Sequence, residues 1–432
     1  MTDKENITEY SSELLGERYF KVRHKSGLDV YVYPKDMVTS YALFATRYGA
    51  FDDKFRKGGA NGQLVETPSG VAHYLEHRLF ANEDGSDSFE KFSAFGADAN
   101  AYTSYDKTVY LFSCTENFEQ ALRELVTFVT HPYFTKENVD KERGIISQEI
   151  NMNTDNPYVR CAANLYCAMY EHHPIRCDIG GTLESISRIT PEMLGDCYNT
   201  FYKMSEMVLI VCGDHTPEEV ISIIDKLLPD GGVEENVLPE RRKEKREACI
   251  PRTEQKMNVG KTLFTIGIKD TDIPDTPMMR IKKETAMTVL NEILFSRAGR
   301  FFSQCFESGL IGASFSCDYS LCRDVAFNLM FGESDDPDRV LSELLEYIAD
   351  VRKEGLSRED FERSKKVLYA GFLREFDSTE DIANNMVDFI FDGVDLFDYL
   401  DIIKDVAYED VCSLLDTQFD RECISLSVIS PL

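Results

Sequence analysis

Gly70-Val-Ala-His-Tyr-Leu-Glu-His-Arg-Leu-Phe80 is the stretch from which the rest of the chain can be read. On a helix, at about 100° per residue, His73 and His77 lie roughly 40° apart around the axis, with Glu76 beside them. Both imidazoles then reach one ion, and Glu76 is held next to the water that such an ion would polarise. The order H-x-x-E-H is the inverse of the thermolysin arrangement. The plainer alternative is a solvated or core helix face that happens to carry two of the chain's seven histidines.

A third ligand is expected from another helix. Residues 135–150 read as a helix opening at Thr135, a good N-cap residue, with Val139, Ile146 and Ile150 as its buried stripe. Glu142 and Glu149 are seven apart and share a face. Glu149 is the candidate ligand. Glu142 is either a residue that orients a ligand or holds a proton, or a solvated surface glutamate.

Four stretches together resemble the pitrilysin/insulinase family of zinc peptidases, in the shorter-chain branch that includes the mitochondrial processing peptidase. They are 70–80, Ala99-Asn-Ala-Tyr-Thr-Ser104, Glu142-Arg-Gly-Ile-Ile-Ser-Gln-Glu149 and Val211-Cys-Gly-Asp214. The resemblance runs from about residue 20 to 230, and within the family the chain is similar to the bacterial YmfH-like group. It implies that His73, His77 and Glu149 bind one zinc ion per chain and that Glu76 is the general base. Three protein ligands leave one position open for water, as a catalytic zinc requires, and two His with one Glu favour zinc over other metals. The implied activity is a zinc metalloendopeptidase acting on small or unfolded peptides; Glu142, from its place on the helix face, is counted with Glu76 as a candidate catalytic residue.

Residues 97–104 and 108–114 read as two strands joined by a short link. In the family the first of these is an edge strand that pairs with the substrate backbone, a mode that reads main chain more than side chains. Asn100, Ala101 and Tyr102 are the expected substrate contacts, the alternative being an ordinary edge strand. Phe80, one turn beyond His77, either lines the pocket for the residue after the scissile bond or belongs to the core.

Composition excludes several classes. There is no run of about 18 apolar residues, so no membrane span is expected. The start, Met1-Thr-Asp-Lys-Glu-Asn6, lacks the basic and apolar regions of a signal peptide, which makes the cytoplasm the expected location. Twelve scattered cysteines without a C-x-x-C pair read as reduced, mostly buried residues. A net charge of −29 argues against nucleic-acid binding. The basic run Arg241-Arg-Lys-Glu-Lys-Arg246 follows a Pro/Gly/charge-rich stretch and reads as exposed linker.

That linker, 231–254, divides the chain into an N-terminal zinc-bearing domain, 1–230, and a C-terminal domain, 255–432. The first half opens with a hairpin around Lys25-Ser26-Gly27 and closes with a buried strand, 207–212, and a helix, 217–228. The second half repeats the order: strand 262–269, helix 278–295, helices 336–352 and 358–376, strand 424–429. The expected fold class is α+β, two similar domains, each an antiparallel or mixed sheet with helices packed on one face. In the family, two such pairs enclose a chamber, so this chain is expected to dimerise.

The second half departs from the family in one respect. Members that complete the site alone carry an Arg and, seven residues later, a Tyr, in R-x-x-x-G-L-x-Y. Aligning Gly309-Leu310 puts Cys305 at the Arg position and Gly312 at the Tyr position, neither of which can donate to a developing oxyanion. Arg297, Arg300 and Tyr319 are the candidate substitutes. The expected partners are therefore peptide substrates and a related subunit bearing the Arg/Tyr pair, or a second copy of this chain. Two alternatives stand beside this: a non-catalytic scaffold or half-site subunit, and a zinc enzyme acting on a non-peptide substrate, such as a deaminase, whose H-x-E…C-x-x-C signature is missing.

Overall fold

The structure is a computed structural model and describes residues 7–231, 237–240 and 242–432. The N-terminal stretch 1–6, and residues 232–236 and 241 of the expected linker, lie outside the described residues.

The chain begins with β1 (Ile7–Ser12), β2 (Glu17–Arg23), β3 (Asp29–Pro34) and β4 (Ser40–Thr46). The turn at Gly27, φ +93°, joins β2 to β3, as the alternation around it predicts. A small hairpin, β5 (Lys54–Lys57) and β6 (Gln63–Glu66), leads into α1 (Val71–Leu79), α2 (Ser88–Phe95), β7 (Asp98–Thr103) and β8 (Thr108–Cys114). Three longer helices follow: α3 (Phe118–Thr130), α4 (Lys136–Asp155) and α5 (Pro157–Met169). Then come α6 (Leu183–Ser187), α7 (Pro191–Phe201), β9 (Met207–Gly213), α8 (Pro217–Ile224) and β10 (Val237–Pro239). The second half runs β11 (Arg252–Met257), β12 (Leu263–Asp270), α9 (Pro277–Phe295), α10 (Arg300–Glu307), β13 (Ser316–Cys322) and β14 (Val325–Glu333). It ends with α11 (Pro337–Glu354), α12 (Arg358–Glu375), α13 (Thr379–Phe391), α14 (Asp398–Asp405), α15 (Tyr408–Gln418) and β15 (Ile424–Pro431).

These elements form two compact units. The first comprises Met1–Ile150, Asp178–Glu240 and Arg374–Phe397; the second comprises Asn151–Cys177, Arg241–Leu373 and Asp398–Leu432. A division at the linker describes chain order, whereas the compact units also exchange two helical segments, one from each half.

The first unit is built on a sheet of order β1-β2-β3-β9-β4-β8-β7, in which β3 and β9 are parallel and the other pairs antiparallel. The second has the order β11-β15-β12-β14-β13, with β11 and β15 parallel and the rest antiparallel. Five consecutive strands of the first sheet thus recur in order and sense in the second. This is the α+β duplication expected from the order of elements, with no residue-level repeat required.

Strand periodicity explains the exchanged helices. Successive side chains point to opposite faces, so Val30, Val32, Ala42 and Phe44 enter one core with α1 and α3. Tyr41, on the other face, hydrogen-bonds Asn384 of α13. In the second unit, Phe264, Ile266 and Ile268 enter the core with α9 and α11. Thr265 and Gly267 face α5: Thr265 donates to Cys161, and a Cβ on Gly267 would stand 2.4 Å from Met169 Sδ. Helices thus cover the core face of each sheet, and one exchanged helix covers the other. That is why β4, β9 and β12 are buried along their whole length. At the end of the first sheet, β7 pairs with β8 alone among the described strands.

Candidate metal centre

Helix α1 starts at Gly70, whose φ of +94° is left-handed and whose missing Cβ leaves room for the Gly180 carbonyl; a Cβ there would lie 2.6 Å from that oxygen. Val71, Ala72, Leu75 and Leu79 anchor the helix in the first unit's core, which leaves His73 and His77 on the less buried side. Helix α4 opens as expected: Asn138 N–H donates to Thr135 Oγ1, and Thr135 N–H donates to Asn138 Oδ1. Val139, Ile146 and Ile150 form its buried stripe, and Glu142 is buried with them. Tyr74, fully buried, ties the two helices together by donating its hydroxyl to the Val139 carbonyl.

This packing brings His73, His77 and Glu149 together, with one ligand atom from each lying within 4.8 Å of the others. His73 Nε2 is 3.5 Å from Glu149 Oε1, and His77 Nε2 is 3.5 Å from Glu149 Oε2. Those distances are long for hydrogen bonds. They suit a shared ion, because two ligands at about 2.0–2.1 Å from a tetrahedral zinc lie about 3.3 Å apart. No other group of three or more His, Cys, Asp or Glu among the described residues is placed to hold a metal. The donor set, two imidazoles and a carboxylate, fits zinc.

The surrounding groups are ordered. Glu142 is no solvated glutamate: it is 9% exposed, its Oε1 lies 3.1 Å from His77 Nδ1, and its Oε2 accepts from Arg78 Nη1 at 2.9 Å. An ionised carboxylate can only accept, so His77 Nδ1 donates to Glu142 and Nε2 is the nitrogen turned toward Glu149. Glu76 is 7% exposed, and Thr103 Oγ1 donates to its Oε2 at 2.8 Å. His73 Nδ1 is buried and meets no hydrogen-bond partner among the described residues.

Burial and neighbouring charge set the proton affinities. Burial, with the second imidazole beside it, pushes His73 down to about 4. Burial raises the Glu76 carboxyl, and His77 and Thr103 oppose that shift. For His77, burial acts downward, but the hydrogen bond to Glu142 and the charges of Glu76, Glu142 and Glu149 together outweigh it and raise the value. Glu142 is held below the usual carboxylate range because His77 and Arg78 outweigh its burial.

The remaining expected residues are distributed less evenly. Asn100, Ala101 and Tyr102 lie on the edge strand β7, beside which α1 packs. Asn100 Oδ1 accepts from Ala101 N–H, and the Tyr102 hydroxyl reaches Asn384 of α13. Phe80 is 5% exposed and lies among Phe89, Phe128 and Tyr110, so its surroundings are those of the core alternative. Sequence reasoning overlooked Thr103 and Arg78. Thr103 is two residues beyond Ala101 on the same strand, and Arg78 directly follows His77, but neither type marks a site without its partner in space.

In the second unit, Cys305 is buried on α10 and Gly312 donates its N–H to the Glu333 carbonyl. The three candidate substitutes are engaged elsewhere. The Tyr319 hydroxyl donates to Asp270 at 2.7 Å, Arg300 pairs with Glu354 at 2.9 Å, and Arg297 donates to the Ala313 carbonyl at 3.1 Å.

Sequence and fold comparisons place the chain. Residues 60–182 match the family described as insulinase (peptidase family M16), and residues 188–368 match the peptidase M16 inactive domain. The chain therefore belongs to the M16 family, a family of zinc proteases. It is 36% identical over 97% of its length, and 98% of the relative's, to a Bacillus subtilis (strain 168) protein named uncharacterized zinc protease YmfH. It is 30% identical over 39% of its length, and 32% of the relative's, to the probable mitochondrial-processing peptidase subunit beta of Arabidopsis thaliana. An M16-like peptidase from Alicyclobacillus acidocaldarius has the same fold at a TM-score of 0.91, with 31% identity, over 95% of this chain and 98% of that one. No helix among the described residues is long and apolar enough to cross a membrane.

Proposed function

We propose that the chain is a zinc-dependent endopeptidase, with one zinc per chain held by His73, His77 and Glu149, acting on small or unfolded peptides. The observation that carries this is the convergence of those three side chains beside a buried Glu76 and the edge strand β7. When bound, zinc supplies a Lewis-acidic position left open by three protein ligands. Glu76 accepts a proton from the attacking water and returns it to the leaving amine. Thr103 engages one oxygen of Glu76 and so fixes the carboxylate for that transfer. Glu142 holds His77 in the tautomer that presents Nε2. Asn100, Ala101 and Tyr102 present the main chain of β7 to a peptide added as a further strand. Phe80 is left out of this substrate surface.

A second reading concerns completeness. Cys305 and Gly312 offer no donors where a carbonyl-polarising pair is needed, and Tyr319, Arg300 and Arg297 are occupied. This favours a division of labour in which the chain supplies zinc and base while a related Arg/Tyr-bearing subunit completes an enclosed chamber. We assign the cytoplasm as the setting, with the scattered cysteines and their lack of a C-x-x-C pair as support.

The test is turnover of quenched fluorescent peptides by the zinc-loaded chain alone, with Glu76→Gln as the blank. Turnover above the blank establishes a self-sufficient peptidase and removes the need for a partner. Turnover that appears only with an Arg/Tyr-bearing subunit establishes the half-site reading. Equal turnover by wild type and Glu76→Gln would overturn the role of Glu76.

A further inference from the structure

Arg78 is an arginine inside a protein core, with only 4% of its side chain exposed. Burying a guanidinium is costly unless it is paired. Among the described residues its one carboxylate partner is Glu142, reached through Nη1, and none of them offers an acceptor to Nε or Nη2. The charge of Arg78 is therefore devoted to Glu142. The two oxygens of Glu142 are divided between consecutive residues of α1: Oε1 for His77 Nδ1–H, Oε2 for Arg78.

We propose that Arg78 is a positioning residue of the metal centre, which locks Glu142 so that its Oε1 fixes the tautomer and ring orientation of His77. A carboxylate held by the imidazole alone is free to rotate about its last torsion. Tethering its second oxygen to a rigid planar donor on the next residue removes that freedom. The His77 ring then keeps Nε2 directed at Glu149 before any ion arrives. This inference rests on the reading of His77 as a metal ligand. It differs from a plain ion-pair staple between α1 and α4, which would stabilise the fold without affecting metal affinity through Glu142.

The experiment is zinc affinity by competition with a chromophoric chelator, on wild type, Arg78→Met, Arg78→Lys, Glu142→Gln and the Arg78→Met/Glu142→Gln pair. Folding is checked on the zinc-free proteins by circular dichroism. Arg78→Met is expected to weaken zinc binding about 10- to 100-fold, the range for lost outer-shell partners. In the Glu142→Gln background the same change is expected to add no more than about twofold, because Arg78 acts through Glu142. Arg78→Lys, which keeps the charge but replaces the rigid planar donor with a flexible ammonium, is expected to fall between and to shift the visible bands of the cobalt-substituted protein.

Arg78→Met with wild-type affinity overturns the proposal, as does an equal loss with and without Glu142. Should Arg78→Met fail to fold, Arg78→Lys decides: wild-type affinity with unshifted cobalt bands overturns it. A wild-type chain that takes up no zinc overturns the metal reading itself, a different outcome.

Discussion

Gly70→Ala tests how the metal-bearing helix is placed. Gly70 has φ +94°, and a Cβ there would stand 2.6 Å from the Gly180 carbonyl oxygen, 3.0 Å from its carbonyl carbon and 3.2 Å from Gly181 Cα. All three atoms are backbone, so no side chain can swing aside. Two costs add. Left-handed backbone costs an alanine roughly 1–2 kcal/mol. Forcing extra volume into a packed site costs about 1–3 kcal/mol more. The total expected loss is about 2–5 kcal/mol in urea unfolding of the zinc-free chain. Gly96→Ala is the control, because Gly96 has φ +73° with nothing within 4 Å of the added Cβ. It should show the backbone cost alone. The Gly180 loop also backs His73, since a Cβ on Gly180 would lie 3.6 Å from His73 Nδ1. Relief of the clash in Gly70→Ala should therefore displace His73 and weaken zinc binding, whereas Gly96→Ala should leave it intact. Equal destabilisation by the two substitutions, with equal zinc affinity, would refute the reasoning.

Phe80→Ala should cost about 3–5 kcal/mol as a large-to-small core change. A loss under about 1 kcal/mol with altered cleavage preference would return Phe80 to the substrate pocket. Tyr74→Phe removes the hydroxyl bond from α1 to the Val139 carbonyl and should cost about 1 kcal/mol in urea unfolding; no loss would mean that this bond does not tie the helices. His24 is buried, and burial outweighs the Asp225 carboxylate to lower its pKa below the ordinary 6.5. The unfolded chain then binds more protons, so its contribution to stability is present above about pH 6.5 and is lost as the pH falls below that. Unfolding from pH 7 to 5 should thus show a shallower decline in His24→Gln than in wild type; identical slopes would remove His24 from the account.

The parts legible in the sequence are those set by local spacing. The hairpin at Gly27, the cap at Thr135, the stripe Val139–Ile146–Ile150 and the i, i+3, i+4 placement of His73, Glu76 and His77 all follow from periods of 2 and 3.6 residues. The repeated element order also announced two similar halves, and the two sheets share five strands in order and sense. Phe80 shows the limit, because an aromatic one turn past a ligand has the same spacing whether it faces a pocket or the core.

Taken alone, then, the sequence determined which side chains could share a helix face and therefore which atoms were candidates to meet an ion. Tertiary packing decided which of them do. Glu149 reaches the two imidazoles because Tyr74 and the Val139 stripe set α4 against α1, a contact between residues 65 apart. Thr103 reaches Glu76, and Arg78 reaches Glu142, only once β7 and α4 lie beside α1. The exchange of α5 and α13 between halves is likewise invisible along the chain. It depends on both faces of each sheet being apolar enough to need covering, and on Gly267 leaving space for α5, conditions that exist only when the strands are already side by side.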